Sequence, residues 1–478
     1  MTDAPAAKAF AELMDLRGLG APAPGEVSIT GADPFFKTPH KIGSTVAAVI
    51  AASGVAANDL WELRTGRRQT AEVNVAEAAA TLHISEYTRS RGPDGTFGPA
   101  FRSPSMEHMR SITQPWPTAD GRYFLPHFNL PNLQKRVLGA LKCDPTPESV
   151  SAAVKSRTAD DLEEAVAAAR GCGGKIRTHD EWRAHPHGAW LATRPVVEVT
   201  KIADSAPEPL PPGDRPLSGI RVLDLTRILA GPTAGRTLGE HGADVLMVAH
   251  PDLPQVPEYV RDLSHGKRSS FLDLNDPKQL DHFRGLAAGA DIFLNGYRPG
   301  RLAARGFGVD ELARLRPGII NVSVSCFGVG GPFSDRAGWE QIAQSVTGLA
   351  YTHGHAIGAG QPKLAPAPMC DYVTGYMAAY GTLLALGRRA REGGSYNVSV
   401  SLCQSAMFYQ RQGVLEDFSG APGALTEAHL QRLYVLEEGT AYGDLLTLGP
   451  ALRLSETPCR WALPTPKFGG YTPEWAAA

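Results

Sequence analysis

The chain has no paired-cysteine motif. Its six cysteines stand at 143, 172, 326, 370, 403 and 459, and none forms a Cys-x-x-Cys pair. Neither a zinc cage nor a disulfide scaffold is suggested by that spacing. Nor is there an excess of either charge: Lys+Arg 47 against Asp+Glu 49 gives a formal net charge of −2. Nucleic-acid binders usually carry a basic excess, so no nucleic-acid partner is expected. The opening Met1-Thr2-Asp3-Ala4 has no basic segment leading into an apolar core, and no secretory signal is expected. The longest apolar stretches, near Val46–Ala57 and Met377–Leu386, fall short of the roughly 20 residues that span a bilayer. The reading is a cytoplasmic protein with no membrane partner.

Two phosphate-binding fingerprints are also missing. Leu229-Ala230-Gly231-Pro232 is not Gly-x-Gly-x-x-Gly, so a dinucleotide site is a poor reading. Gly328-Val329-Gly330-Gly331-Pro332 lacks the Gly-Lys-Ser/Thr ending of a P-loop and reads as a flexible loop. His179, His185 and His187 do not match a zinc spacing and read as solvated surface histidines.

What is present is an α/β pattern. The 478 residues are 43% apolar and 20% charged, ordinary values for a chain that buries a core. At about 100–200 residues each, two to four domains are expected. Short β-branched runs at Ile220–Leu225, Asp244–Val248, Asp291–Leu294 and Ile319–Val324 alternate with helical patterns at 276–288 and 309–315. Strands alternating with helices imply βαβ units and a parallel sheet, whose ligands bind beyond the carboxyl ends of the strands. The N-terminal part differs. Ser44–Leu63 reads as an Ala-rich helix, residues 94–116 have no clean period, and short helices follow at 133–141, 147–155 and 159–169. Residues 203–216 are Pro-rich and mark the best boundary.

A degenerate repeat links the two parts. Gly54–Gly66 and Gly381–Gly393 share their glycines and an Arg, each after an Ala-rich helix and before Val-x-Val. This register sets Ser44 opposite Asp371, so one active site per chain is expected. Asp371 stands just before an apolar helix at 373–386. It can be an N-cap, accepting hydrogen bonds from free amides. The same geometry holds a carboxylate ionised and available as a nucleophile toward an acyl carbon. Asp224, on an apolar strand, reads as a satisfied buried carboxylate. Lys267-Arg268 reads either as a phosphate contact or as a solvated turn.

Residues 217–232, Leu-Ser-Gly-Ile-Arg-Val-Leu-Asp-Leu-Thr-Arg-Ile-Leu-Ala-Gly-Pro, resemble the opening signature of the family III CoA-transferases, the CaiB/BaiF family. Gly242-Ala243-Asp244-Val245, Gly266-Lys267-Arg268-Ser269, Leu272-Asp273-Leu274, Arg298-Pro299-Gly300, Gly331-Pro332-Phe333 and Asp371-Tyr372-Val373-Thr374-Gly375 follow in that family's order. Arg64-Thr65-Gly66-Arg67-Arg68-Gln69, Asp120-Gly121-Arg122-Tyr123 and Thr178–Trp182 resemble later stretches of the same family, as if its parts were fused in rotated order.

The resemblance implies a Rossmann-like parallel-sheet CoA-binding domain plus a smaller α+β domain. Residues 1–90 would be a helix–strand segment resembling the later half of the large domain, and 91–195 the small domain. Residues 196–216 would be a linker, 217–420 the CoA-binding domain and 421–478 a C-terminal tail. It implies a CoA-transferase that moves CoA between an acyl-CoA donor and a carboxylic-acid acceptor through an anhydride on Asp371. Coenzyme A enters as acyl-CoA substrate, with no metal, and the partner chain is a second copy in an interlocked homodimer. Arg227, Leu229, Ala230, Leu272 and Asn275 would line the CoA nucleotide, with His250 where a basic residue often ends the second strand. Gly296, Tyr297 and Arg298 would hold the pantetheine and phosphate side. An acyl-CoA racemase of the same family is the alternative, as is a catalytically silent acyl-CoA-binding paralogue. Racemases place Gly-His-Asp where this chain reads Gly338-Trp339-Glu340, and Trp339 takes no proton, which lowers the first.

Overall fold

A computed structural model describes residues 6–476. The N-terminal part is built around strand β1 (Val27–Thr30), helix α1 (Ile42–Thr65), strand β2 (Ala71–Asn74) and helix α2 (Val75–Ala80). Helix α3 (Pro104–Ile112) follows within the stretch that shows no period in sequence. Asn74 caps α2 with its side chain, accepting from the Ala76 and Glu77 amides. β1 and β2 pair in parallel, and Leu452–Leu454 joins β2 from the other side.

The main sheet comprises β3 (Glu198–Ala203), β4 (Arg221–Leu225), β5 (Asp244–Ala249), β6 (Lys267–Phe271), β7 (Ile292–Asn295), β8 (Ile320–Ser325) and β9 (Ser395–Ser401). Their spatial order is β6-β5-β4-β7-β8-β9-β3, parallel throughout except that β3 runs antiparallel to β9. The six parallel strands thus have the doubly wound order, reversing direction between β4 and β7. Both faces are buried, as parallel sheets require. Val222, Val245 and Val322 pack on one face, while Leu223, Leu246 and Phe293 join a second core with Phe283 and Phe307 on the other.

Four helices frame the end of this sheet: α4 (Ala230–Glu240), α5 (Glu340–Thr347), α6 (Met369–Glu392) and α7 (Leu402–Arg411). Helix α6 packs against both α4 and α1. A Cβ on Gly375 would collide with the Ala230 carbonyl, so the small residue sets how closely α6 approaches α4.

The repeat read from sequence is a structural repeat. Helices α1 and α6 are both 24 residues long. Aligning their first residues also aligns their closing glycines, Gly66 and Gly393, at φ 73 and 68. It aligns the starts of α2 and α7, whose caps are Asn74 and Ser401.

Three expectations are corrected. The range read as linker from 196 begins with β3, an edge strand whose mixed Glu-Val-Thr-Lys side chains hide its pairing. The range read as a tail from 421 carries Gly443–Leu448 and Leu452–Leu454, which pair with Arg89–Arg91 and β2. Its strands complete sheets begun by the N-terminal part. Finally, α1 is long and apolar enough to cross a membrane but is largely buried inside the protein.

Candidate active site

The carboxyl ends of β4 and β7 meet where the strand order reverses, and a cavity of about 180 Å³ opens there. The loop after β4 is tightly specified. Thr226 donates to Asp224 through its hydroxyl at 2.5 Å and its amide at 2.9 Å. Lys267 Nζ donates to Asp224 Oδ2 and to the Pro232 carbonyl, both at 2.8 Å. Asp224 is therefore the satisfied buried carboxylate expected. Lys267 is neither a phosphate contact nor in a solvated turn: it lies in β6, fully buried, as the ion partner of Asp224. Ile228 sits at φ 74, a conformation a branched residue holds only when its surroundings over-determine it. A Cβ on Gly231 would run into the Thr226 side chain.

Arg227, Leu229, Ala230, Gly296, Tyr297 and Asp371 all line this cavity, beside Ser325, Cys326 and Trp339. Burial holds the Arg227 guanidinium below its ordinary value, and one of its nitrogens donates to the Pro254 carbonyl. Leu229 precedes α4 without a side-chain cap, so the first amides of α4 keep no side-chain partner from it.

Asp371 is the third residue of α6, not its N-cap, and Pro368 precedes the helix without capping it. The cap comes from elsewhere in the chain. Glu340, at the start of α5, accepts from the Asp371 amide at 2.6 Å through Oε2 and from the Cys370 amide at 3.3 Å through Oε1. Gln344 Nε2 donates to the same Oε1 at 2.7 Å. The structural repeat has a matching device, since Asp33 accepts from the Gly43 and Ser44 amides of α1 at 3.0 and 2.8 Å.

The amides expected to hold Asp371 ionised are thus occupied by Glu340. The expectation of a lowered pKa is overturned: Asp371 is pushed well above the usual carboxylate range by burial and then by the Glu340 charge. Glu340 is itself raised to about 7 by burial. Ser44, at the position matching Asp371, has a buried Oγ without a hydrogen-bond partner and no carboxylate to offer.

A second cavity of about 580 Å³ adjoins the first, sharing Leu225 and Tyr297. His250, Leu272, Asn275 and Arg298 line it. The expected site residues therefore sort differently from their expected grouping. Arg227, Leu229 and Ala230 share the cavity of Asp371, whereas Leu272 and Asn275 lie in the larger one. Tyr297 joins the two. His250 Nε2 is 3.3 Å from Asp273 Oδ1. Two arginines that the sequence reading missed, Arg301 and Arg305, line the same cavity. Burial, then the charges of Arg301, Arg136 and Arg170, depress the Arg298 guanidinium. A concave patch of cations that repel one another is the electrostatics of a polyanion site.

The histidine reading fails at His187, which is fully buried. Its Nε2 is 2.8 Å from the Phe327 carbonyl oxygen, and its Nδ1 accepts from the Phe333 amide at 3.1 Å. The glycine-rich loop is correspondingly not free. Gly328, Gly330 and Gly331 take φ 84, 102 and 76, and a Cβ on Gly330 or Gly331 would press on Trp190 or His187.

Residues 217–442 match the family model described as CoA-transferase family III. The chain is 34% identical over 314 residues to an acetyl-coenzyme A transferase of Hypoxylon pulicicidum, covering 61% of this chain and 53% of the relative. It is 36% identical over 183 residues to the human succinyl-CoA:glutarate CoA-transferase, covering 36% and 41%. The crystal structure of a CAIB/BAIF family protein from Brucella suis aligns at 28% identity and TM-score 0.38, over 48% of this chain and 65% of that one. The chain spans about half the length of the first of these relatives. The β4–α4 loop, helix α6 and strands β4 to β9 of the sheet lie inside this matched span, whereas the edge strand β3 lies outside it.

Proposed function

We propose that the protein moves CoA from an acyl-CoA donor to a carboxylic-acid acceptor, with Asp371 as covalent nucleophile. The observation that carries the reading is a carboxylate at the start of α6, opening into the cavity that the β4–α4 loop and Tyr297 also line. In the first half-reaction the Asp371 carboxylate adds to the thioester carbonyl and the C–S bond breaks. An aspartyl mixed anhydride forms and CoA leaves as thiolate. The acceptor carboxylate adds to the Asp371 acyl carbon and the donor carboxylate leaves, giving a second anhydride; the thiolate then attacks the acceptor's acyl carbon and displaces the Asp371 carboxylate, giving the product acyl-CoA and the free aspartate. The larger, arginine-lined cavity would take the nucleotide phosphates, and the Tyr297 junction the pantetheine arm. We further propose an interlocked homodimer in the cytoplasm, with sedimentation velocity as the test of assembly.

The racemase alternative needs two bases across the substrate α-carbon. Both oxygens of Glu340 are engaged by amide donors, so it supports Asp371 from behind and is not a free second base. The experiment is to incubate the protein with acetyl-CoA or succinyl-CoA and hydroxylamine, then map the peptide by mass spectrometry. An aspartyl hydroxamate at Asp371, lost in Asp371→Ala, is expected. Bound CoA with no adduct from any donor would favour the silent paralogue. Deuterium wash-in at the α-carbon without CoA exchange would favour the racemase.

A further inference from the structure

The two residues that flank Glu340 carry a second arrangement. Trp339 lines the Asp371 cavity. Its ring stacks on His127, with ring centres 5.4 Å apart and planes within 10° of parallel. Gln341 holds the edge of the same imidazole, with its Oε1 2.8 Å from His127 Nε2. His127 is fully buried, and burial lowers it to about 4, so the ring is neutral. The Asn129 amide donates to Nδ1 at 3.4 Å, which leaves the proton on Nε2, donated to Gln341.

His127 comes from the N-terminal part, outside the span matched by the family model. It follows the strand Tyr123–Pro126, and its amide donates to the Cys172 carbonyl at 2.9 Å. Cys172 in turn forms a parallel bridge with Ala337, two residues before Trp339. A Cβ on Gly338 would run into Cys326 Sγ, so the backbone that leads to the indole is pressed against the cavity wall. The indole cannot retreat toward His127 without displacing a buried ring from its hydrogen bond. Leu130, also from the N-terminal part, lines the cavity directly, and Val324 and Leu402 add apolar surface.

We propose that Trp339 is a specificity-determining wall of the acyl pocket and that His127 is the positioning residue that holds it, so that the chain length of the acyl group is limited by a stack built partly from the N-terminal part. The inference rests on the proposed CoA transfer, which puts the reacting acyl carbon at Asp371. A cavity of about 150 Å³ is enough for a six-carbon ring, so the space of about 180 Å³ beside Asp371 takes about seven heavy atoms. The thioester sulfur, carbonyl carbon and oxygen fill part of it, which leaves room for acyl groups of about five carbons or fewer. A longer chain meets the indole, and behind the indole a packed imidazole.

The test follows CoA release from acetyl-, butyryl- and octanoyl-CoA in the presence of hydroxylamine, using the full chain and the variants Trp339→Leu, His127→Ala and His127→Phe. In wild type, kcat/KM is expected to fall by about tenfold or more from butyryl-CoA to octanoyl-CoA, as for overpacking a rigid wall. In Trp339→Leu the octanoyl-to-butyryl ratio should rise by about tenfold, the gain from two newly accommodated methylenes. His127→Ala should move the ratio in the same direction by a smaller factor, and it carries the test if Trp339→Leu does not fold. His127→Phe keeps a flat ring behind the indole and should restore the wild-type preference. A wild type that uses octanoyl-CoA as well as butyryl-CoA overturns the wall. So does a ratio within about twofold of wild type in both Trp339→Leu and His127→Ala, with Asp371 still trapped by hydroxylamine, and the transfer reaction then stands. A His127→Phe profile shifted as far as that of His127→Ala overturns the positioning role of the stack. Absence of the trapped adduct in wild type from every donor overturns the transfer reaction itself, and the acyl pocket with it.

Discussion

Glu340→Gln tests the arrangement that positions Asp371. The Glu340 carboxyl is 4% exposed and is raised from 4.5 to about 7 by burial. A carboxyl whose folded value lies above its unfolded value binds a proton more tightly when folded. Its contribution is therefore harmless below pH 4.5 and becomes a growing penalty as pH rises to 7. At about 1.4 kcal/mol per pH unit, the full penalty is about 3 kcal/mol, of which about 2 kcal/mol develops between pH 5.5 and 8. Gln carries no charge and escapes this penalty; its NH2 cannot accept in place of one carboxyl oxygen, a loss that is the same at every pH and leaves the pH dependence as the quantity read. It also relieves Asp371 of its anionic neighbour, which acts in the same direction. With 478 residues and about 2.1 cal/mol/K of unfolding entropy per residue, about 2 kcal/mol corresponds to roughly 2 °C in Tm. Scanning calorimetry of both proteins at pH 5.5 and pH 8 measures it. The variant's Tm relative to wild type should rise by that amount at the higher pH. A difference that stays constant with pH, or that moves in favour of wild type, refutes the assignment of a buried, proton-retaining Glu340.

Three other outcomes follow from the same geometry. Because burial and the Glu340 charge raise Asp371 above the usual carboxylate range, thiolate release from acyl-CoA should accelerate as pH rises above that range; a stopped-flow rate that falls with rising pH would contradict this. Lys267→Met leaves the fully buried Asp224 without its counter-ion and should cost about 3–5 kcal/mol in denaturant unfolding, while loosening the loop that carries Arg227. Replacing Arg298 and Arg301 together by Ala should weaken CoA binding at least tenfold and flatten its salt dependence, with little effect on pantetheine, which carries no phosphate.

The parallel strands were legible because strands buried on both faces read as continuous apolar runs, as in Arg221–Leu225 and Ile292–Asn295. Strand β6 was not read as one, since Lys-Arg-Ser-Ser-Phe has no such run; its burial depends on Lys267 finding Asp224 across the sheet. Strand β3 was missed for the opposite reason: as an edge strand it keeps Thr200 and Lys201 exposed and looks like linker. At the site, small residues and an aspartate in a fixed order pointed to the Asp371 cavity. The partners of Asp371 left no such trace. Glu340 lies 31 residues earlier in the chain, and no periodicity joins a carboxylate to a helix start over that separation. Arg301 and Arg305 became candidates only once the chain after β7 curled back over the larger cavity.

The Glu340 cap has a consequence for where negative charge can go during the reaction. A helix start offers a small number of free amides and a positive pole to whatever anion arrives first. At α6 the Cys370 and Asp371 amides are already taken by the protein's own carboxylate, so this pole serves to hold the Asp371 backbone in place. The other helix start facing the same cavity, at Ala230 of α4, carries no side-chain cap. In the proposed transfer, the charge that would build on the thioester oxygen as the tetrahedral intermediate forms has α4 to turn to. The two helix poles at this cavity divide the labour: one fixes the Asp371 backbone, and the other stays open where the proposed reaction would build its oxyanion.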